Sequence, residues 1–199
     1  MEAKKVVIFM GSPRKNSSTH ILAGEAARAL CEQGIPSQMI FPDDLRIRDC
    51  RGCHACKQED RDTCVINDDM QEIYSLMDTS AGIIVAAPVY FGYVPAQTKA
   101  WLDRLVPYIG MDMRPKMTGG KPVSFIFTQN MPDSSLYEPA LRGFMQGVAM
   151  TGLVVHDFLI AADCEAGIKT PVEQRPDLMG KAYAMGRDLL YREREPGDS

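Results

Sequence analysis

Two groups of residues in this chain have the composition of chemical sites. The first is a polar loop between an apolar run and an amphipathic run near the start of the chain. It combines one glycine, two cationic side chains and five hydroxyl or amide side chains: Gly11, Ser12, Pro13, Arg14, Lys15, Asn16, Ser17, Ser18 and Thr19. The second group is a set of closely spaced cysteines: Cys50, Cys53, Cys56 and Cys64.

The order of apolar run, polar loop and amphipathic run predicts a buried strand, a loop and the start of a helix. The free N–H groups of a helix's first turn and the helix dipole both favour an anion there. A phosphate ester suits these donors and cations. The alternative is that Ser17 or Ser18 only caps the helix while Arg14 lies in solvent, but a cap uses one or two such residues and not a whole run.

Motif spacing narrows the phosphate ligand. The chain has neither G-x-x-x-x-G-K-[ST] nor G-x-G-x-x-G, which argues against a P-loop NTPase and against a dinucleotide fingerprint. A monophosphate is therefore favoured.

Composition limits the class of protein. The chain has 199 residues, of which 45% are hydrophobic and 24% charged, as in a globular protein of one domain. A net charge of −4 argues against nucleic acid as the main partner. The longest apolar run is broken by Pro88 and Gly92, so we expect no membrane span, and the N-terminus does not resemble a signal peptide. We expect a cytoplasmic protein, in which clustered cysteines more often bind metal or do redox work than form disulfides.

The elements that position these groups follow from the hydrophobic pattern. Strands are predicted at residues 5–10, 35–41, 82–87, 122–128 and 153–160. Helices are predicted from the polar loop to about residue 33, after Asp68 and Asp69, and at residues 96–106, 136–151 and 173–191, with Pro95 at a first helical position. The alternation predicts an α/β, flavodoxin-like fold, a five-stranded parallel sheet of order 2-1-3-4-5 with helices on both faces. A cysteine-rich insertion at 42–67 interrupts a single domain at 1–192, and a flexible tail is expected at 193–199.

Loops after strands one, three and four share the carboxyl edge of such a sheet, where ligands bind. The loop after strand three begins Pro88, Val89, Tyr90, Phe91, Gly92. Its aromatic rings and glycine offer stacking surface and accessible backbone N–H groups for a flat ring. The alternative is that both aromatic residues simply pack in the core.

The polar loop, the run from Pro88 to Gln97 and the run 99–104 together resemble the flavodoxin-like family of NAD(P)H-dependent FMN reductases, and within it the iron–sulfur flavoproteins most of all. The resemblance implies that FMN is bound, with NAD(P)H as a possible co-substrate. It implies that the phosphate is held by Ser12, Arg14, Asn16, Ser17, Ser18 and Thr19. The flavin ring would lie along Pro88, Val89, Tyr90, Phe91 and Gly92. Relatives often carry a glycine-rich turn after strand four, whereas this chain has Thr128, Gln129 and Asn130, from which polar contacts are expected.

The cysteines have the spacing C-x2-C-x2-C-x7-C. Ligation by four cysteines is the usual requirement of a [4Fe–4S] cluster, and structural zinc more often takes two separated C-x2-C pairs. The thiols could also be reduced and empty, or oxidise to disulfides. The other residues considered receive structural interpretations: Cys31 as a buried thiol, Trp101 as core or interface, and Asp68 with Asp69 as helix-start charge.

Three functions remain open at this point. The first is an FMN oxidoreductase that couples flavin to a [4Fe–4S] cluster, exchanges electrons with a small-molecule or protein redox partner, and forms a homodimer or homotetramer. The second is an FMN or quinone reductase without a cluster. The third is a zinc-stabilised, non-enzymatic binding module. No side chain is predicted to act as a catalytic acid or base.

Overall fold

The computed structural model describes residues 5–58, 61–164 and 170–191. The predicted tail at 193–199 lies outside these residues. The described part contains one five-stranded parallel sheet of order β2-β1-β3-β4-β5, as predicted. Its strands are β1 (Val6–Met10), β2 (Ser37–Ile40), β3 (Gly82–Pro88), β4 (Pro122–Thr128) and β5 (Val154–Ala161).

Helices cover both faces of the sheet. They are α1 (Ser18–Glu32), α2 (Met70–Thr79), α3 (Ala96–Asp103), α4 (Glu138–Ala149) and α5 (Pro176–Asp188). Helices α1 and α5 pack on one face, and α2, α3 and α4 pack on the other. The three central strands are almost wholly buried, which explains why they read as unbroken apolar runs.

The faces differ in how closely their helices approach. A Cβ at Gly186 on α5 would lie 2.1 Å from the carbonyl oxygen of Ala26 on α1, so the glycine permits that contact. On the opposite face, Trp101 stacks on Phe9 with ring centroids 4.5 Å apart and is 1% exposed. The prediction of a core position for Trp101 is confirmed.

Prolines set the helix ends that the hydrophobic pattern misses. The closing helix begins at Pro176 instead of residue 173, because the residue before a proline is driven out of helical geometry; Arg175 has φ −113° and ψ 86°. Helix α3 ends at Asp103, four residues before Pro107. Pro95 is the N-cap residue just before the helix and is not its first helical residue. Strand β2 is also shorter than predicted.

The prediction for Cys31 is wrong, since its side chain is exposed near the end of α1. The helix turns its small apolar residues, such as Ala26 and Leu30, toward the sheet, and Cys31 falls on the opposite side. Gly34 ends the helix with a φ of 72°, the left-handed geometry typical of a helix C-terminus.

Candidate functional site

The polar loop joins the carboxyl end of β1 to the first turn of α1. Ser17 caps the helix by accepting a hydrogen bond from the backbone N–H of His20 at 3.3 Å, and its oxygen lies 3.1 Å from the Ser12 hydroxyl oxygen. Both serines are buried, as is Thr19. The capping interpretation is thus correct for Ser17, but it does not account for three buried hydroxyls at one helix end.

The two cations of the loop have different surroundings. Lys15 forms an ion pair of 2.7 Å with Asp44 and lies 5.3 Å from the centroid of the Phe41 ring. Arg14 is exposed and lines the cleft described below, while its backbone N–H donates to the Ser12 hydroxyl at 3.3 Å. Arg14 is therefore the cation of this loop that faces the cleft.

Strand β4 meets the same helix end. The hydroxyl oxygens of Thr128 and Thr19 are 2.6 Å apart, and both side chains are buried. Residues separated by more than one hundred positions thus come together because β4 lies next to β3, which pairs with β1. Of the residues predicted for the phosphate, Asn16 is exposed and Ser18 is half-buried.

The aromatic loop after β3 forms a tight hairpin. The backbone N–H of Tyr90 donates to the Tyr93 carbonyl at 2.8 Å, and the N–H of Tyr93 donates back at 3.1 Å. Phe91 and Gly92 between them have φ values of 49° and 79°, the geometry that Asn-Gly usually adopts. A bulky residue in this region is strained, and such strain concentrates at functional positions.

The Phe91 side chain projects fully into solvent, with a relative exposure of 111%. Core packing is therefore wrong as an interpretation of Phe91, and Tyr90 is also exposed. The turn rests on Tyr137, whose ring carbon Cε1 lies 3.3 Å from the position a Cβ would take at Gly92. Tyr93 packs edge to face on Phe144, which anchors the base of the hairpin in the core.

These elements enclose a cleft of about 470 Å³ at the carboxyl edge of the sheet. Its volume falls within the usual range for small-molecule sites. The lining residues are Arg14, Pro88, Val89, Tyr90, Phe91, Thr128, Gln129, Asn130 and Cys164. A larger cleft of about 710 Å³ opens at the opposite edge of the sheet, away from the polar loop and the aromatic turn.

The cleft fits the FMN group that the resemblance implies. The helix N-terminus and buried hydroxyls match a phosphate, and the aromatic turn offers a wall for a flat ring. Gln129, which lines the cleft, provides independent evidence for a bound ligand. Its side-chain nitrogen donates to the carbonyl oxygens of Met131 and Asp133 at 3.2 and 2.7 Å, while its buried Oε1 has no hydrogen-bond partner in the described part of the chain.

Cys164 was not predicted as a lining residue. It follows β5, and its backbone N–H donates to the Gln129 carbonyl at 2.8 Å. Burial raises the pKa of its thiol despite the nearby Arg175 guanidinium, so the thiol is protonated and weakly nucleophilic at neutral pH. Its position at the carboxyl end of an edge strand was the available signal.

Helix α3 packs closely against Gly11, the first residue of the polar loop. A Cβ at Gly11 would lie 2.1 Å from the Thr98 hydroxyl, and the Gln97 amide donates to the Gly11 carbonyl at 3.0 Å. The glycine is thus required by the close approach of α3.

The four cysteines of the insertion are all free thiols. Cys53 is exposed and Cys56 is buried, and the other two are half-buried. Burial raises the pKa of Cys56; Lys57 opposes this, while the neighbouring Cys64 and Cys50 raise the pKa further. Within residues 5–58, 61–164 and 170–191, no three His, Cys, Asp or Glu side chains are grouped closely enough to hold a metal ion. Four cysteine side chains are the ligand set that a [4Fe–4S] cluster requires. In the described residues they are not yet close together, so they would have to move toward one another to bind a cluster.

Residues 50–58 and 61–64, which we call the cysteine segment, contact the chain at the far end of α3 from the cleft. The Lys57 ammonium group donates to the carbonyl of Val106 at 2.6 Å, just beyond the end of the helix. The cleft lies at the other end, where the loop after β3 leads into α3. Eight helical residues separate these ends by about 12 Å.

The interpretation of Asp68 and Asp69 as helix-start charge is incomplete. Asp68 accepts from the N–H of Met70 at 3.2 Å, as a helix-start residue does, but it also forms a buried ion pair with Arg104. Burial acts to raise the pKa of Asp68, but hydrogen bonds from Arg104 and from the Arg48 backbone outweigh it and hold the pKa below its usual range. Asp69 accepts from the N–H of Arg46 at 2.7 Å and makes no side-chain cap.

A parallel sheet of order 2-1-3-4-5, with its cleft between the loops after β1 and β3, defines a flavodoxin-like fold. The sequence model for NADPH-dependent FMN reductase matches residues 4–162. The chain belongs to this family. The resemblance predicted from the two loops is confirmed.

The curated relatives include two archaeal iron–sulfur flavoproteins. The one from Methanocaldococcus jannaschii is 42% identical over 116 residues, which are 58% of this chain and 59% of that protein. The one from Methanosarcina thermophila is 44% identical over 102 residues, 51% of this chain and 52% of that protein. The matches thus span about half to three-fifths of these relatives' length.

Solved structures support the fold. An NAD(P)H:quinone oxidoreductase from Methanothermobacter marburgensis gives a TM-score of 0.75 at 15% identity, covering 96% of this chain and 98% of that one. An NADH:FMN oxidoreductase in its apo form gives a TM-score of 0.63 at 22% identity, covering 97% of this chain and 92% of that one. In the part of the chain that the structure describes, no helix has the length and apolar character of a membrane span.

Proposed function

We propose that the protein is an FMN-dependent oxidoreductase whose flavin occupies the cleft between the polar loop and the aromatic turn. The observation that carries this proposal is that Arg14 of the polar loop, Thr128 and the exposed, strained aromatic turn line one cleft. The Thr128 hydroxyl in turn contacts Thr19, one of three buried hydroxyls at the N-terminus of α1. Family membership supports the choice of FMN over other phosphate esters.

When bound, FMN supplies hydride and electron transfer, and the chain's own residues bind and orient it. Ser12, Ser17 and Thr19 would hold the phosphate through their hydroxyl groups, and Arg14 would add positive charge. Asn16 and Ser18, on the same loop, complete the proposed phosphate set. The flavin ring would be bordered by Pro88, Val89, Tyr90, Phe91 and Gly92. Thr128 holds Thr19 in place, with their hydroxyl oxygens 2.6 Å apart. No residue is assigned as an acid or base, and NAD(P)H is the proposed electron donor.

Titration of the full chain with FMN, followed by flavin fluorescence, tests this proposal. We expect saturable quenching with one FMN per chain. Replacement of Ser12 and Thr19 together by alanine removes two phosphate donors and should weaken binding by about 10–100-fold. Protein that is folded but neither contains nor binds FMN would exclude the proposal.

The finer proposal is that Cys50, Cys53, Cys56 and Cys64 hold a [4Fe–4S] cluster, which would supply one-electron transfer. Four free thiols at this spacing and the names of the archaeal relatives support it. The separation of the cysteine segment from the chain's own cleft favours coupling to the flavin of a neighbouring subunit, hence a homodimer or homotetramer. A small molecule or protein would be the redox partner, and a reducing compartment such as the cytoplasm suits free thiols.

The second candidate is an FMN or quinone reductase without a cluster. The observation that favours it is that no three of the described cysteines are grouped closely enough to hold a metal ion. Serine in place of all four cysteines separates the candidates. Reduction of a one-electron acceptor should be lost if a cluster takes part, whereas it should persist in a cluster-free reductase. Zinc in place of iron and flavin would favour the binding module.

A further inference from the structure

Both ends of the cysteine segment meet at one buried carboxylate. Asp68 follows Cys64 in the chain, and its Oδ2 accepts a hydrogen bond at 2.9 Å from the backbone N–H of Arg48, which precedes Cys50. The guanidinium of Arg104, from the end of α3, binds both oxygens of Asp68 at 2.7 and 3.0 Å. The side chains of this ion pair are 0% and 1% exposed.

Arg104 also holds the first end of the segment directly. Its Nη1 donates to the carbonyl of Arg48 at 2.7 Å, so one guanidinium contacts the chain before Cys50 and the carboxylate after Cys64. The backbone of Arg104 is fixed in turn, since its carbonyl accepts from the Tyr74 hydroxyl at 2.5 Å. We call Arg104, Asp68 and the Arg48 backbone the clasp.

A second set of contacts supports the clasp from α2. The side-chain amide of Gln71 donates to the carbonyls of Cys64 and Ile66 at 2.7 and 2.8 Å. The backbone of Cys64, the last of the four cysteines, is therefore hydrogen-bonded to α2, which starts two residues after Asp68. Between the two ends, the Lys57 ammonium group donates to the carbonyls of Val106 and Ile109, which follow α3 in the chain.

The burial of this pair distinguishes it from the other ion pair of α3. Lys99 and Asp103 are each 44% exposed, and pairs of that kind contribute little. A buried ion pair is not by itself a source of stability, because apolar residues of similar size often do as well. Its value lies in a bidentate geometry, which defines where the two ends of the segment meet.

We propose that Arg104 and Asp68 are positioning residues that hold the cysteine segment in the conformation from which Cys50, Cys53, Cys56 and Cys64 close around a cluster. The assignment of a cluster rests on the proposed function. The expected effect on the reactivity of the thiols does not rest on the proposed function, because the clasp restrains the same segment with or without metal. Partners that act through the ligands of a metal site commonly change its affinity by about 10–100-fold.

The test uses the full chain with two substitutions, Arg104→Met and Asp68→Leu. This double variant leaves no unpaired buried charge, so it should fold, while the Arg48 backbone regains water and the segment is released. The matched control is Lys99→Met with Asp103→Leu, which removes the exposed pair from the same helix. FMN titration and the thermal midpoint serve as controls for the fold.

The first readout is the rate at which a maleimide labels each cysteine in anaerobic, metal-free protein. We expect labelling of Cys56 to accelerate by about tenfold or more in the clasp variant, since local opening exposes it. Cys31, which is already exposed, serves as an internal reference. The second readout is the loss of iron to a chelator after loading with ferrous iron and sulfide, which we expect to be about 10–100-fold faster.

The outcomes separate the two proposals. Unchanged labelling and iron retention in the clasp variant would overturn the positioning role, and so would an equal change in the control. Parallel losses of FMN binding and thermal midpoint would also overturn it, because they indicate a general structural role. Arg104→Lys gives a second measure, since it keeps the charge but cannot bind both carboxylate oxygens and the Arg48 carbonyl; faster labelling is expected there too. Wild-type protein that takes up no iron would contradict the cluster, while the labelling experiment would still decide the role of the clasp.

Discussion

The role of Phe91 depends on its backbone conformation, which its residue type does not indicate. Its type and place after a buried strand are equally compatible with core packing and with a site. Its φ of 49° and full exposure are consequences of a two-residue hairpin closed by Tyr90 and Tyr93. The usual signal for this turn is Asn-Gly, and Phe-Gly lacks the first half of it. The aromatic loop was therefore predictable, but its geometry was not.

Gly92→Ala should weaken FMN binding through the shape of this turn. Alanine at a φ of 79° costs about 1–2 kcal/mol, and its Cβ would press on the Tyr137 ring at 3.3 Å. Gly34→Ala is the matched control, because Gly34 has a φ of 72°, open space around it and no contact with the cleft. Both variants should lose stability in urea unfolding. Only Gly92→Ala should lose FMN affinity, and equal affinities would contradict a role for the turn.

Arg14→Gln should weaken FMN binding by about 10–100-fold, because a hydrogen bond to a charged group contributes about 1.5–3 kcal/mol. Lys15→Gln is its neighbour and control; Lys15 is paired with Asp44 and should matter less. The affinities are measured by flavin fluorescence at matched ionic strength. A larger loss in the lysine variant would show that the cations have been assigned the wrong way round.

The ion pair of Asp68 predicts how the free energy of unfolding depends on pH. Its pKa is lowered in the folded protein, so its contribution to stability is complete above its unfolded pKa of about 3.9 and is lost as pH falls through the folded value. Asp68→Asn leaves the buried Arg104 unpaired and should lower the free energy of unfolding by about 3–5 kcal/mol at pH 7. The gap between variant and wild type should narrow on acidification below about pH 4. A gap independent of pH in urea unfolding would argue against the ion pair.

At the scale of elements, the alternation of strands and helices was predictable because buried parallel strands read as apolar runs. The polar edge was predictable as well, since parallel strands bring their following loops together. The ends of the helices were less predictable, because Pro107 and Pro176 limit helices α3 and α5 where the hydrophobic periodicity alone would extend them. Contacts between distant elements were not predictable: nothing near Gly11 indicates that Thr98 will pack against it.

Gly11→Ala tests that packing. Its Cβ would lie 2.1 Å from the Thr98 hydroxyl and 2.9 Å from the Ala87 Cβ, so β1, β3 and α3 must separate. We expect a loss of about 1–3 kcal/mol in unfolding free energy, as for other overpacked cores. Gly24→Ala is the control, since nothing lies near its Cβ position on α1, and it should stabilise the protein by about 1 kcal/mol. Adding Thr98→Ala should recover part of the Gly11→Ala loss, and a failure to do so would argue against the proposed clash.

At the scale of the whole molecule, the fold separates two chemically distinct regions. The cleft lies at one end of α3 and the cysteine segment lies at the other, held by Arg104 and Lys57. The spacing of the cysteines predicted a ligand set, but not this placement, because the contacts of Arg104 come from a helix about forty residues further along the chain. Cys164 likewise reaches the cleft from a loop with no recognisable motif, whereas Gln129 lines the cleft from the loop after β4, where polar contacts were expected.

The most direct measurement is the cofactor content of the full chain isolated without oxygen. FMN, iron, acid-labile sulfide and zinc are counted per chain in the wild type and in Cys64→Ser, with Cys31→Ser as the matched control. The account predicts bound FMN in all three proteins and about four iron and four sulfide in the wild type and the control, with the iron lost from Cys64→Ser. Flavin without iron, or zinc in place of iron, would contradict the proposed coupling of FMN to a cluster.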